Sequence, residues 1–475
     1  MGADHRTTTV DATADDALGS DDMIALLARL EAREVSAGEL RDAAVARARS
    51  VNARLNAVAA WVDENPRTFG APPLEGLLAG IPTVIKDNED LAGYATTQGS
   101  WAMPERPAKV SSPFVSQYLE LGVAAIAKTT MPEFGLTAST ESLRFGATTN
   151  PWDTRRSAGG SSGGSAALVA AGVVPVAHAN DGGGSIRIPA ACCGLVGLKP
   201  TRGRLVDWPA VERQPVHIVT QGVLTRSVRD TAMYFARAEQ LYRNPALPAI
   251  GAIIAPAESR LRVGLVVRSI QGLPVDAEMV AAVRSTGQLL ARLGHHVEET
   301  PPPVADQFGP DFLRYWALIS FAIKNTGGRL FGPGFEGART EEFTRGMSRY
   351  FLQRLDHIPG SLRRLRQLAR DHEAAYEHFD VLVSPVLGHE PPPIGYLGPD
   401  VDFRTHLVRL LRYTSFTPLQ NVSGSPAISL PLARTATGLP LGIQIAASFG
   451  QDSTLLSLAY ELEEAAPWPT RVPTA

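Results

Sequence analysis

The chain has 475 residues, with 45 Lys and Arg against 48 Asp and Glu, and no long single-sign run, so neither nucleic acid nor an anionic membrane surface is expected as a partner. Its two cysteines, Cys192 and Cys193, are adjacent, which suits neither a disulfide framework nor a metal site, and no apolar run reaches the roughly 18 residues of a membrane helix. With no signal-peptide pattern at Met1–Arg6, the expectation is a cytoplasmic protein without metal or cofactor, acting on a small molecule as a monomer or homodimer.

Residues 1–20 are polar and rich in Thr, Asp and Ala, and are expected to be disordered, with one folded domain over 21–475. A helix is predicted from near Asp21, and a second from Ser36, where Ser36-Ala37-Gly38-Glu39 reads as a capping box. Gly80-Ile81-Pro82-Thr83-Val84-Ile85-Lys86-Asp87-Asn88 reads as a short β-branched strand that ends on charged and turn-forming residues, placing Lys86 at the strand end.

A helical pattern from Pro113, a buried strand at Val123–Ala127 and a loop to Asn150-Pro151-Trp152 follow. Next come a helix from Gly163 to Ala171, a strand from Val173 to Ala179, a Gly-rich loop at 182–184, and further helix and strand units to Val297. This alternation predicts an α/β fold, a single large domain with a mixed central β-sheet flanked by helices. Residues 304–378 break the rhythm with Arg-rich, aromatic, helix-like sequence, read as a helical insertion that caps the substrate pocket. Strands resume at Val381–Val383, Ala427–Leu430 and Leu441–Ile445.

Two Gly/Ser clusters carry the chemistry: Gly159-Gly160-Ser161-Ser162-Gly163-Gly164-Ser165, and Asp181-Gly182-Gly183-Gly184-Ser185-Ile186-Arg187. A triple glycine before a serine can turn successive backbone N–H groups toward one point, as an oxyanion hole beside a nucleophile requires. Ser185 is thus the candidate nucleophile, with Gly182, Gly183 and Gly184 as candidate oxyanion or substrate-binding residues. A serine hydroxyl needs a base within reach. His178 lies seven residues earlier in a strand-like stretch, where a half-buried structural histidine is the plainer reading.

Gly159–Thr201 resembles the amidase signature, the Gly/Ser-rich segment of a family of amide hydrolases. Gly80–Asn88 is similar to that family's lysine strand, Gly146–Asp153 to its lead-in, and Phe379–Pro385 with Asn421–Pro431 to its C-terminal strands. The resemblance implies a catalytic unit of a nucleophilic serine, a second serine preceded by a cis peptide bond, and a lysine, which match Ser185, Ser161 and Lys86. It implies an acyl-enzyme and a proton relay in which Lys86 must be neutral near pH 7. Ser162, with Ser165, borders the following helix and suits N-cap duty, and Asp181 and Arg187 are expected to brace the second loop rather than react.

Three other readings compete. Gly159–Gly163 also fits the G-x-S-x-G nucleophile elbow, but Asp153–Ala158 before it reads as a polar loop and not the strand that motif follows. Gly332–Gly337 matches G-x-G-x-x-G without its flanking strand and helix. The alternative from another class is an amidase-type subunit of a multi-subunit amidotransferase. That branch tends to read Gly-Thr-Asp where this chain has Ala179-Asn180-Asp181, and Ser-Ile-Arg-Gln-Pro where it has Ser185-Ile186-Arg187-Ile188-Pro189, a departure that favours a free-standing hydrolase. The catalytic loop is instead similar to the branch of 6-aminohexanoate cyclic-dimer hydrolases, broad-range amidases and urethanases, which implies an amide or carbamate substrate. Ten aromatic residues between Phe308 and Phe351 suggest an apolar cleft, with about two-thirds of them expected in the core.

Overall fold

The computed structural model describes residues 8–62 and 76–473. An eight-stranded mixed sheet runs in the order His296–Glu299, Arg262–Leu265, Val381–Pro385, Pro440–Ala447, Ala427–Arg434, Val196–Lys199, Thr220–Thr225, Val176–Asp181. The first three strands are parallel, and every pairing after Val381–Pro385 is antiparallel. Helices Arg187–Cys193, Val228–Leu241, Ala277–Arg292 and Asp452–Ala465 pack against these strands. The single α/β domain anticipated from the sequence is therefore found.

The lysine strand, Pro82–Lys86, belongs to a separate sheet of three, parallel to Ala124–Thr129, which in turn pairs antiparallel with Val58–Trp61. All five of its residues are buried. It borders the edge strand Val176–Asp181 through side chains: Thr83 Oγ1 donates to the Val176 carbonyl at 2.9 Å, and the Lys86 amide donates to His178 Nδ1 at 3.1 Å. Side chains alternate along a strand, so His178 and Asn180 share the face that meets Lys86 while Asp181 points away from it.

The capping box at Ser36 forms as expected, with Ser36 Oγ accepting from the Glu39 amide at 3.2 Å and Glu39 Oε2 accepting from the Ser36 amide at 2.8 Å. The expected disorder of residues 1–20 is corrected for 8–20. Val10, Ala12 and Leu18 are buried, and the amides of Val10 and Ala12 donate to the carbonyls of Pro151 and Ala171 at 2.8 and 2.7 Å. Arg47 then ties the segment down, pairing with Asp16 and donating to the carbonyls of Ala14 and Gly19. Residues 1–7 lie outside the described residues.

Most of 304–378 is helical, in Phe308–Leu330, Glu342–Leu352 and Ile358–Asp371, with a 3₁₀ segment at His372–Glu377. Asp311 joins two of these helices, accepting from Ser361 Oγ at 2.7 Å and from Arg364 Nε at 2.6 Å. Gly332–Gly337 is a turn between helices, with Gly332 and Gly334 at φ +87° and +94°. No helix among the described residues is long and apolar enough to cross a membrane.

Candidate active site

Lys86 and the two Gly/Ser loops converge at the seam between the sheets. Lys86 is 1% exposed and Ser161 2%, and Lys86 Nζ donates to Ser161 Oγ at 2.7 Å and to Asn180 Oδ1 at 2.6 Å. Burial without a directly paired anion lowers the lysine pKa to about 7, while the charges of Asp181 and Glu89 pull it the other way. The Gly160–Ser161 peptide bond is cis.

Ser185 stands 8% exposed at the floor of a cleft of about 570 Å³, mouth included. Gly135–Ala138, Gly160, Gly183 and Ile188 line it. The helical segment contributes Phe312, Leu313, Trp316, Phe343 and Met347, and the helix Phe403–Tyr413 adds Leu407, Leu410 and Leu411. Polar lining is confined to Ser185, Thr137, Gln271 and Thr414, with no ionisable side chain among the lining residues.

Three of the ten aromatics thus face the cleft. The rest are spent on packing: Phe308 and Tyr315 bury against Val216 and Ile218, Phe321 lies 4.6 Å from Phe351, and Phe331 and Phe335 meet Phe134. Tyr350 sits under the Arg354 guanidinium.

Asp181 and Arg187 organise the serine loop. Both are fully buried, and Arg187 Nε and Nη2 each donate to the Asp181 carboxylate at 2.9 Å. The carboxylate also accepts from the amides of Gly184 at 2.7 Å and Ile186 at 3.1 Å and from Asn421 Nδ2 at 2.8 Å. Burial opposes its charge, but the Arg187 guanidinium and these donors outweigh it and hold the carboxyl well below the usual aspartate range.

This arrangement corrects one expectation. The Gly184 amide faces Asp181, so it is not a free oxyanion donor. Its glycine is needed for another reason: at φ +127° a Cβ would fall 2.5 Å from Thr417 Oγ1 and 2.6 Å from Ile188 Cδ1. Thr417 Oγ1 in turn donates to the Gly183 carbonyl at 2.6 Å, fixing that peptide plane.

Ser162 occupies the N-cap position of Gly163–Ala170 but forms no side-chain cap; its Oγ donates to the Asn180 carbonyl at 3.4 Å. Ser165 likewise does not cap, and donates to the His178 carbonyl at 2.8 Å. His178 is wholly buried, more so than the half-buried reading supposed. Burial lowers its pKa to about 3, so the ring is neutral, and it spends its nitrogens on the Lys86 amide and Gln221 Oε1.

Asp153–Ser157, read as a polar loop, is a strand paired with Thr149–Asn150 in a two-stranded ribbon and bridged at Arg156 to Pro393. It lies outside the main sheet, and Ser161 is sealed behind the cleft wall, unlike the exposed serine of a nucleophile elbow. Cys192 and Cys193 are free and buried, Cys192 Sγ lying 3.1 Å from Tyr413 Oη. Among the described residues no group of three His, Cys, Asp or Glu side chains is gathered for a metal ion. Asn180 was missed as a ligand of the lysine, although its place in Ala179-Asn180-Asp181 had marked it as a departure.

Comparison with known proteins agrees with this geometry. An amidase family model matches residues 39–456. A putative amidase AmiC of Mycobacterium leprae is 45% identical over 460 residues, spanning 97% of this chain and 98% of that protein. The 6-aminohexanoate-cyclic-dimer hydrolase of a Pseudomonas species is 35% identical over 93% of this chain and 94% of its own. A solved structure of 6-aminohexanoate cyclic dimer hydrolase superposes with a TM-score of 0.86 at 32% identity, covering 96% of this chain and 98% of the other. The chain belongs to the amidase family, the amidase signature enzymes, and is an amide-hydrolysing enzyme.

Proposed function

We propose that the chain hydrolyses neutral amides with apolar acyl groups through an acyl-enzyme on Ser185, with Ser161 and Lys86 as its proton relay. The observation that carries this reading is the 2.7 Å contact between Lys86 Nζ and Ser161 Oγ, made by a buried lysine whose pKa is lowered to about 7. Neutral Lys86 accepts the Ser161 proton across that contact as Ser161 takes the proton of Ser185. Ser185 Oγ then attacks the acyl carbon, and the amides of Gly182 and Gly183, beside the anchored Gly184, face the developing oxyanion. The relay runs backward to protonate the departing amine, and water, activated by the same groups, releases the acid.

The substrate class follows from the lining. A cleft walled by Phe312, Trp316, Phe343 and leucines, without an ionisable side chain, favours neutral alkyl or aryl acyl groups over charged amino-acid amides. Carbamates, anilides and esters present the same acyl carbon to the same donors and fall within reach.

Treatment with a serine-directed phosphonate, followed by peptide mass spectrometry, tests the assignment. The adduct is expected on Ser185 and to disappear in Ser185→Ala. An adduct on Ser161 of the unmodified protein would overturn it.

A further inference from the structure

Behind Lys86 lies a second buried acid. Glu89 is 2% exposed, its amide closes the turn after the lysine strand by donating to the Lys86 carbonyl at 3.2 Å, and its carboxyl sits among polar side chains from several elements. Gln221 Nε2 donates to Glu89 Oε1 at 3.1 Å, Trp208 Nε1 donates to Oε2 at 3.0 Å, and Ser112 also bonds the carboxyl. Gln221 extends the chain: its Oε1 meets His178 Nε2 at 3.1 Å, and His178 Nδ1 accepts from the Lys86 amide. Glu89 is thus connected to both sides of the residue that precedes it by one turn, through backbone and through Gln221 and His178.

We propose that Glu89 is a positioning residue that holds the end of the lysine strand and, by its own charge, governs when Lys86 gives up its proton. The inference rests on Lys86 acting as the base. Charges near the pair come from Asp181 on the serine loop, Asp207 bonded to Gln221 and to His217, and Asp87, next to Lys86 in the chain and paired with Lys128 of the neighbouring strand; His178 between them is neutral. Arg187 neutralises Asp181 and Lys128 pairs with Asp87, whereas Glu89 receives only neutral donors. Its carboxyl titrates at about 7, raised by burial and by the charge of Asp207, in the same interval as the lysine. An ionised Glu89 keeps Lys86 protonated, and a neutral one releases it. The charge of Glu89 therefore changes over the range in which the relay must switch on.

The pH profile of kcat/KM on the 4-nitroanilide of hexanoic acid, for wild type, Glu89→Gln, Glu89→Asp, Gln221→Met and Lys86→Ala, provides the test. Without the carboxylate, Lys86 deprotonates earlier, so the acid limb of Glu89→Gln should move down by about one pH unit. Glu89→Asp, which keeps the charge, should restore the wild-type limb. Gln221→Met removes a donor that stabilises the carboxylate, so its limb should move down in the same direction with KM little changed; it also serves as the readout where Glu89→Gln does not fold. A purely structural Glu89 would lower kcat at every pH and leave the limb in place, overturning the proposal. A Lys86→Ala enzyme that keeps wild-type activity and limb would overturn the relay itself, and this inference with it. Loss of the limb in Lys86→Ala with an unmoved limb in Glu89→Gln would remove Glu89 alone.

Discussion

Replacing Arg187 by methionine, a side chain of similar reach, removes the guanidinium paired with Asp181 in a site where both partners have no exposure. The carboxylate would retain the amides of Gly184 and Ile186 and the Asn421 amide, but lose both guanidinium bonds; Gln444 and Gln420 would lose their Arg187 donors as well. Breaking a buried pair by deleting one member costs about 3–5 kcal/mol. The pH dependence gives the sharper test. In the wild type the Asp181 pKa is depressed, so its contribution is fully present above the ordinary aspartate value of about 4 and is lost only as pH falls through the folded value. In the variant, burial is opposed only by the remaining amide donors and the charge of Lys199, so the pKa rises from its wild-type value and protonation relieves the stranded charge as the solution is acidified. Urea unfolding followed by tryptophan fluorescence should show the largest deficit near pH 8 and a smaller one near pH 5.5. Because Asp181 anchors the amides on either side of Ser185, kcat/KM should also fall about a hundredfold from a misplaced nucleophile. An unchanged unfolding midpoint at pH 8, or a deficit that grows toward acid, would refute the reasoning.

Gly184→Ala forces a Cβ onto Thr417 Oγ1 at a φ of +127°, and should cost more activity than Gly182→Ala, whose Cβ would meet Val219 at 3.3 Å; equal losses in a parallel kcat/KM assay would contradict this. Phe312→Ala, which strips a ring stacked 5.6 Å from Trp316 at the cleft, should lower kcat/KM about tenfold for a hexanoyl anilide and much less for an acetyl one. Size-exclusion chromatography followed by assay of the isolated peak should find full amidase activity without added subunits, as expected of a free-standing hydrolase and not of an amidotransferase subunit.

The parts of the fold written in local chemistry were legible. The capping box at Ser36, the β-branched run ending at Lys86 and the triple glycine before Ser185 each follow from backbone preferences of a few residues. What was not legible depends on distant partners. The segment 8–20 has a disordered composition, yet Arg47, Pro151 and Ala171 order it. Asp153–Ser157 is too polar to read as a strand, and its strand forms beside Thr149–Asn150 and the distant Pro392–Ile394 backbone. The separation of the lysine strand into its own sheet is invisible to periodicity, since both sheets demand the same pattern. At the site, Lys86 and the serines were named through their motifs, but Asn180 meets the lysine and Gln221 meets His178 from other strands, and Glu89, though only three residues from Lys86, is tied to His178 through Gln221. The leucines of Phe403–Tyr413 carried an ordinary amphipathic pattern that gave no sign of a cleft wall.

The most direct test of the central claim is the rate at which Ser185 is phosphonylated as a function of pH, in the wild type and in Lys86→Ala, since this step reports removal of the Ser185 proton without product release. The wild-type rate should rise through a midpoint near 7, where burial places the lysine. Lys86→Ala should lose that step, with a rate lower by about 10²–10⁴-fold across the range. A Lys86→Ala protein labelled on Ser185 at the wild-type rate, with the same rise near neutrality, would contradict the account.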